Sequence, residues 1–223
     1  MKKQVLYISL IIVLSGKLFG QTSDFKTWTG VSVEAEPVKN LNLEITPEVR
    51  LDDNSSKFQS FVTDVGVEYE VTKFLDLGLL YRHSCKYKPE DGYSHANRFS
   101  GYIVLSRKIE RVQISYRALY EQEYIRMNTS EDGNIPEHMH RHKIGAKYNI
   151  RKNPITPELN GELFVAINNE KENTPALYRI NTGASYKINK HWRVKLLYRF
   201  QKELNVNDPL SSHILSTNLQ YSF

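Results

Sequence analysis

The sequence predicts an all-β chain folded as an antiparallel transmembrane β-barrel of 10–12 strands. Three observations predict it. Apolar and polar residues alternate with a period of two from residue 25 onward. The alternating runs are long. The connections between them alternate between tight turns and longer polar loops, the layout of an outer-membrane barrel.

The N-terminus reads differently from the rest. Met1, Lys2 and Lys3 open a basic segment, and Val5 to Gly16 form a short apolar run. That is the pattern of an export signal, with cleavage expected after Gly20 and a mature barrel over residues 21–223. No other stretch approaches the roughly 20 apolar residues of a transmembrane helix. Charged residues make up 25% of the chain, which excludes a helical membrane bundle. Losing Lys2, Lys3 and Lys17 lowers the formal charge from +5 to +2. Much of the basic character therefore lies in the leader, and the remaining charges are interspersed, so no nucleic-acid partner is expected. Cys85 is the only cysteine, which excludes an internal disulfide. With no cysteine near the cleavage point, a lipid anchor is not expected either.

Leu41, Leu43, Ile45, Val49 and Leu51 share one face of an alternating run, and Asn42, Glu44, Thr46, Glu48 and Arg50 share the other. Runs from Ile180 to Ile188 and from Trp192 to Phe200 repeat the pattern. Two unlike faces at 180° per residue define a strand lying between two different environments. In this way strands are expected at 25–36, 41–51, 59–71, 74–87, 96–107, 111–126, 138–150, 157–168, 176–188, 191–203 and 211–223. They exceed the ~5–6 residues of a soluble strand and suffice for the ~9–11 that cross a bilayer at a tilt. Closure into a barrel is the only way a sheet can span lipid with every backbone group paired.

Tight turns are expected at 37–40, 72–73, 108–110, 151–156 and 189–190. Longer loops rich in Asn, Asp, Ser, Gly and Pro are expected at 52–58, 88–95, 127–137, 169–175 and 204–210. Tyr69, Phe74, Tyr148, Tyr186 and Trp192 flank the turns, and Tyr81, Tyr120, Tyr124 and Tyr198 lie nearer the loops. Two such rows fit the aromatic girdles of a membrane barrel. The chain ends on an alternating strand with Phe223 last, which resembles the signal read by the barrel-assembly machinery. The count of eleven conflicts with the even number usual in bacterial barrels. It implies either one strand too many or too few, or residues 21–27 running through the lumen.

The segments Trp28 to Glu34 (WTGVSVE), Leu41 to Asp53, Thr63 to Glu70 (TDVGVEYE), Leu79 to Arg82 and Val112 to Arg117 together resemble the domain of unknown function 2490 family. The resemblance covers essentially the whole mature chain. It implies a Bacteroidetes-type outer-membrane barrel, and it brings no activity and no catalytic residues.

By phase, the inward face carries Glu44, Glu48 and Arg50, then Asp64, Glu68, Asp76 and Arg82. It continues with Arg98, Arg117, Glu121 and Glu123, then Glu158, Glu162 and Arg179, and finally Arg193, Lys195 and Arg199. In a narrow bore, arginines and carboxylates interlock by bidentate bonds. A charge-plugged lumen is therefore expected, in a structural or interaction protein of the envelope. The alternatives are a narrow channel for small solutes and a lipid hydrolase at the rim. The parts for a hydrolase are the neighbours His83 and Ser84, Ser94 and His95, and Ser212 and His213. Adjacent strand residues point to opposite faces, so none of these pairs forms a dyad within its strand. His138, His140 and His142 share one face at a spacing that can bind a transition metal. Their phase with Ile144 and Ala146 places them on the outer face, so rim histidines are expected instead, and no metal or cofactor. Outer-membrane lipid and lipopolysaccharide are the expected surroundings, with no oligomeric state legible.

Overall fold

The computed structural model describes residues 23–89, 92–125, 137–167 and 173–223. The leader expected over residues 1–20 lies outside the described residues, as do loop positions 90–91, 126–136 and 168–172. Eleven strands make up the fold. They are β1 Ser23–Val38, β2 Leu41–Asp52, β3 Lys57–Thr72, β4 Leu75–Lys88, β5 Gly92–Ile109, β6 Val112–Ile125, β7 Glu137–Tyr148, β8 Ile155–Ala166, β9 Thr174–Lys187, β10 Trp192–Glu203 and β11 Ser211–Ser222. No helix occurs among the described residues.

Each strand pairs antiparallel with the next, and β11 returns to β1 to close the barrel. The closing ladder is parallel, in register from Ser23↔Ser211 to Glu34↔Ser222. The sheet is therefore mixed rather than wholly antiparallel. The reason is geometric: an odd number of alternating strands leaves the first and last running the same way. The odd count needs neither a missing strand nor a segment in the lumen, because β1 is paired to β11 from Ser23 onward.

The strands begin and end where the backbone can turn. Asn40 closes the β1–β2 hairpin at φ 69°, a left-handed conformation that asparagine tolerates well. Two connections expected among the longer loops are short. Asp53, Asn54 and Ser55 all adopt positive φ between β2 and β3. The Asp24 carboxylate holds that turn by accepting from the Asn54 N–H at 2.9 Å. Between β4 and β5 the ladder runs out to Lys88↔Gly92, with Tyr87 and Tyr93 packed edge-to-face at 5.5 Å. Pro47 sits within β2 and has no N–H to donate. The β1–β2 ladder passes from Gly30↔Glu48 to Val33↔Ile45 around it, and a Ser32–Thr46 hydroxyl bond of 2.7 Å crosses the gap.

The two faces are inverted relative to a soluble domain. Outward-pointing Leu79 and Ile144 are 68% and 63% exposed, whereas inward-pointing Glu121 and Glu162 are 3% and 5% exposed. Tyr69, Phe74, Tyr148, Tyr186 and Trp192 are exposed on the outside at the turn end, and Tyr120 and Tyr198 at the loop end. Inside, Val62, Leu119, Leu197 and Ile214 are buried among polar side chains. Tyr102 lies across Gly78, where any Cβ would meet its ring at 2.0 Å, and its hydroxyl donates to Glu68 at 3.0 Å.

The parallel seam is directly testable. Thr29 and Thr217 are register partners on its outer side. In a Cys85→Ser background, Thr29→Cys with Thr217→Cys should oxidise to a disulfide, identified by mass spectrometry of the cross-linked peptide. Thr29→Cys with Leu215→Cys should not, because two residues of offset exceed the ~7 Å Cα limit. The opposite pattern would contradict the closure.

Candidate functional site

The barrel encloses one central cavity of about 800 Å³, lined from all eleven strands. Alternation places the polar phase of each strand in this space, and a chain of ion pairs crosses it. Arg98 on β5 pairs with Glu123 and lies 3.5 Å from Glu121, both on β6. Arg141 on β7 bonds Glu121 at 3.0 Å and Glu162 on β8 at 2.9 Å. Glu162 also accepts from Arg117 at 2.9 Å and faces Arg179 on β9 at 3.9 Å. Elsewhere Arg82 and Asp64 form a two-pronged bond, each prong 2.6 Å. Arg50 bonds Glu48 at 2.7 Å, and Lys195 bonds Glu158 at 2.8 Å.

The expected inward residues Glu44, Glu48, Arg50, Asp64, Arg82, Arg98, Arg117, Glu121, Glu123, Glu158, Glu162, Arg179, Arg193, Lys195 and Arg199 all line this cavity. Glu68 lies just beyond it, tied in through Tyr102. Asp76 is on the same phase of β4 but does not reach the lining. The centre of the network, Arg141, was not among the expected residues. Its signal was present: it sits between His140 and His142, so the alternation that turns the histidines outward turns Arg141 inward. Lys143 and Lys147 follow on the same phase and also line the cavity.

Two aromatic residues on the polar phase were also unforeseen as lumenal. Phe164 is 5% exposed, with the Arg141 guanidinium 4.4 Å and the Arg179 guanidinium 5.0 Å from its ring centre. Trp28 is 7% exposed, and Arg50 lies 4.0 Å over its ring. Guanidinium groups stack well on aromatic faces, so these rings give the arginines apolar support inside the bore.

The model of a protein family described as "Protein of unknown function (DUF2490)" matches residues 25–210. The chain belongs to this family. No curated protein matches the sequence. The family match in this DUF2490 protein runs from β1 to the loop before β11.

The histidines of this DUF2490 barrel gather on its outer face. Tyr120 hydrogen-bonds His138, and Tyr116 hydrogen-bonds His142 at 2.8 Å. His140 lies between Tyr120, tilted against it at 5.3 Å, and His142, stacked on it at 6.2 Å. Two of the three expected candidate ligands thus have ring nitrogens engaged by tyrosine hydroxyls. No group of three or more His, Cys, Asp or Glu arranged to hold a metal occurs among the described residues. His83 and His95 stack at 5.4 Å beside Asn97, and His213 bonds Tyr198 at 2.6 Å. Ser84 and Ser212 line the lumen while His83 and His213 point out, and exposed His95 alternates with half-buried Ser94. Each neighbouring Ser–His pair is split between the two faces. Cys85 is a free thiol of intermediate burial on the outward phase of β4.

Removing one partner of a buried ion pair strands the other without solvent. Glu162→Gln leaves three arginines short of a carboxylate. It should cost about 3–5 kcal/mol in urea unfolding of the refolded barrel. Lys57→Ala, which removes an exposed pair with Asp53, should leave the unfolding midpoint almost unchanged. Equal losses would contradict the network's role in stability.

Proposed function

We propose that this chain is an integral outer-membrane barrel of the bacterial envelope with an occluded lumen, a structural or interaction protein rather than an open pore. The observation that carries this reading is the burial of its lumenal carboxylates. In a water-filled channel such groups stay hydrated, yet Glu121, Glu158 and Glu162 are only 3%, 8% and 5% exposed. Each is clamped by a cation from a neighbouring strand or one strand further. The chain of pairs from Glu123 to Arg179 joins five strands across the bore.

The exterior supports a place in lipid. Exposed aliphatic residues circle the barrel, from Leu43, Ile45 and Val49 on β2 to Leu196 on β10 and Leu215 on β11. A contiguous apolar surface of that extent is costly in water and favourable against acyl chains. The exposed aromatic residues at both strand ends suit the two interfaces. Export through cleavage after Gly20 accounts for the basic and apolar N-terminal run. The loops joining the far strand ends, with the histidine–tyrosine belt beneath them, form the surface offered to partners and to lipopolysaccharide.

Fractionation and electrophysiology test this directly. The protein should appear in the outer-membrane fraction with Gln21 first, show heat-modifiable migration on SDS gels, and open no stable channels in planar bilayers. Recovery as a detergent-free monomer from the periplasm would overturn the membrane placement. A large, stable conductance would overturn the occluded lumen.

A further inference from the structure

Among the described residues the charges lining the cavity do not balance: thirteen lysine and arginine side chains face eight carboxylates. In a narrow space with low-dielectric walls, such an excess makes a strong positive field that concentrates anions.

The excess is sharpest around Trp28. The guanidinium carbons of Arg50, Arg199 and Arg179 lie 4.0, 5.1 and 5.6 Å from the centre of its ring. Those three cations come from β2, β10 and β9, brought together by the closure of β1 on β11. Glu48 serves Arg50. Glu162, the carboxylate nearest Arg179, is already bonded to Arg117 and Arg141. Apart from that shared Glu162, 3.9 Å from Nη1 of Arg179, what remains for Arg179 and Arg199 is neutral. Arg179 donates through Nε and Nη2 to the Gln201 amide oxygen at 3.1 and 2.6 Å. Arg199 donates through Nη2 to the Ser216 hydroxyl at 3.1 Å, and has no carboxylate within 4 Å among the described residues. Among the described residues, the Nη1 groups of both arginines have no hydrogen-bond acceptor. Trp28, more than nine-tenths buried, has an indole N–H with no partner, as does the Arg199 Nε–H.

We propose that the Trp28–Arg50–Arg179–Arg199 cluster is a binding site for a small solute bearing an oxyanion, a carboxylate or a phosphate. Two planar forks with free donors facing one cavity match the paired oxygens of either group. Neutral acceptors such as Gln201 and Ser216 give up donors at less cost than carboxylates. Charge-assisted bonds to an anion are roughly twice as strong as the neutral ones they replace. The indole supplies a flat apolar wall for the body of the solute. This site goes beyond the occluded-lumen reading and does not depend on it, since it requires only the folded barrel.

The chain has two tryptophans, so Trp192→Phe leaves Trp28 as the sole indole reporter. The Trp192→Phe barrel, folded in detergent, is titrated with inorganic phosphate and separately with succinate, at constant ionic strength against chloride. Calorimetry and Trp28 fluorescence are both read. The expected result is a saturable heat and a matching fluorescence change with at least one of the two anions, and neither signal with chloride alone. Response to phosphate alone, or to succinate alone, identifies which group the site takes. Arg179→Gln and Arg199→Gln should each weaken that binding about tenfold or more, with heat-modifiable migration retained. If Arg199→Gln fails to fold, Arg199→Lys keeps the charge without the fork and should still weaken binding. No saturable response to either anion would overturn the proposal. So would binding that leaves Trp28 emission unchanged or persists at full strength in the variants. Bilayer conductance plays no part in this test, so its outcome is separate from that of the occluded-lumen reading.

Discussion

A closed sheet has no edge, and in this protein closure depends on one parallel ladder between the first strand and the last. That ladder satisfies the outer backbone groups of both β1 and β11, which in an open sheet would be left to water or to another chain. It also fixes every other relationship in the molecule. Once the cylinder is shut, each residue of a strand has only two directions to point. The alternation of eleven strands then becomes an apolar exterior and a charged interior. Trp28 on β1 meets Arg199 on β10 and Arg50 on β2 only because β1 lies between β11 and β2.

The interior follows from confinement. Side chains as long as arginine cannot extend freely in so narrow a bore, so they fold against carboxylates, against one another's partners, and against Trp28 and Phe164. Burying charge is expensive unless each group is paired and hydrogen-bonded. The path through Arg98, Glu121, Arg141 and Glu162 meets that condition by giving most members two partners on different strands. Such a lattice ties β5 to β8 from the inside, in addition to the backbone ladders. Where the lattice runs short of carboxylates, beside Trp28, the same physics that stabilises the rest leaves an appetite for an anion.

Much of the fold was legible because period-two alternation is a local property. Leu41 to Leu51 or Trp192 to Phe200 can be assigned to strands, and their faces to sides, without knowing any partner. The parallel closure was not legible, since no local signature links Ser23 to Ser211 across the length of the chain. The count of eleven already implied it, but the rule of even strand numbers pointed elsewhere. Strands β3 and β5 begin earlier than expected, at Lys57 and Gly92, because turn-forming residues mark where a chain can reverse and not how far the ladder runs first; at Tyr87 and Tyr93 a cross-strand ring contact supports the added length. In the lumen, the missed residues were those whose neighbours drew the eye. Arg141 stood between two histidines. Trp28 stood in the WTGVSVE segment, where its phase with Ser32 and Glu34 already turned it inward.

The central claim is that the apolar face of these strands meets lipid and the charged face meets a sealed interior. Leu79 and Leu80 are consecutive on β4, the first exposed outside and the second lining the cavity. Single tryptophans at these two positions, in a Trp28→Phe, Trp192→Phe background folded into vesicles of brominated phospholipid, measure which face the bilayer touches. Strong quenching at 79 with little at 80 is the result this account predicts. Equal quenching at both positions, or stronger quenching at 80, would contradict it.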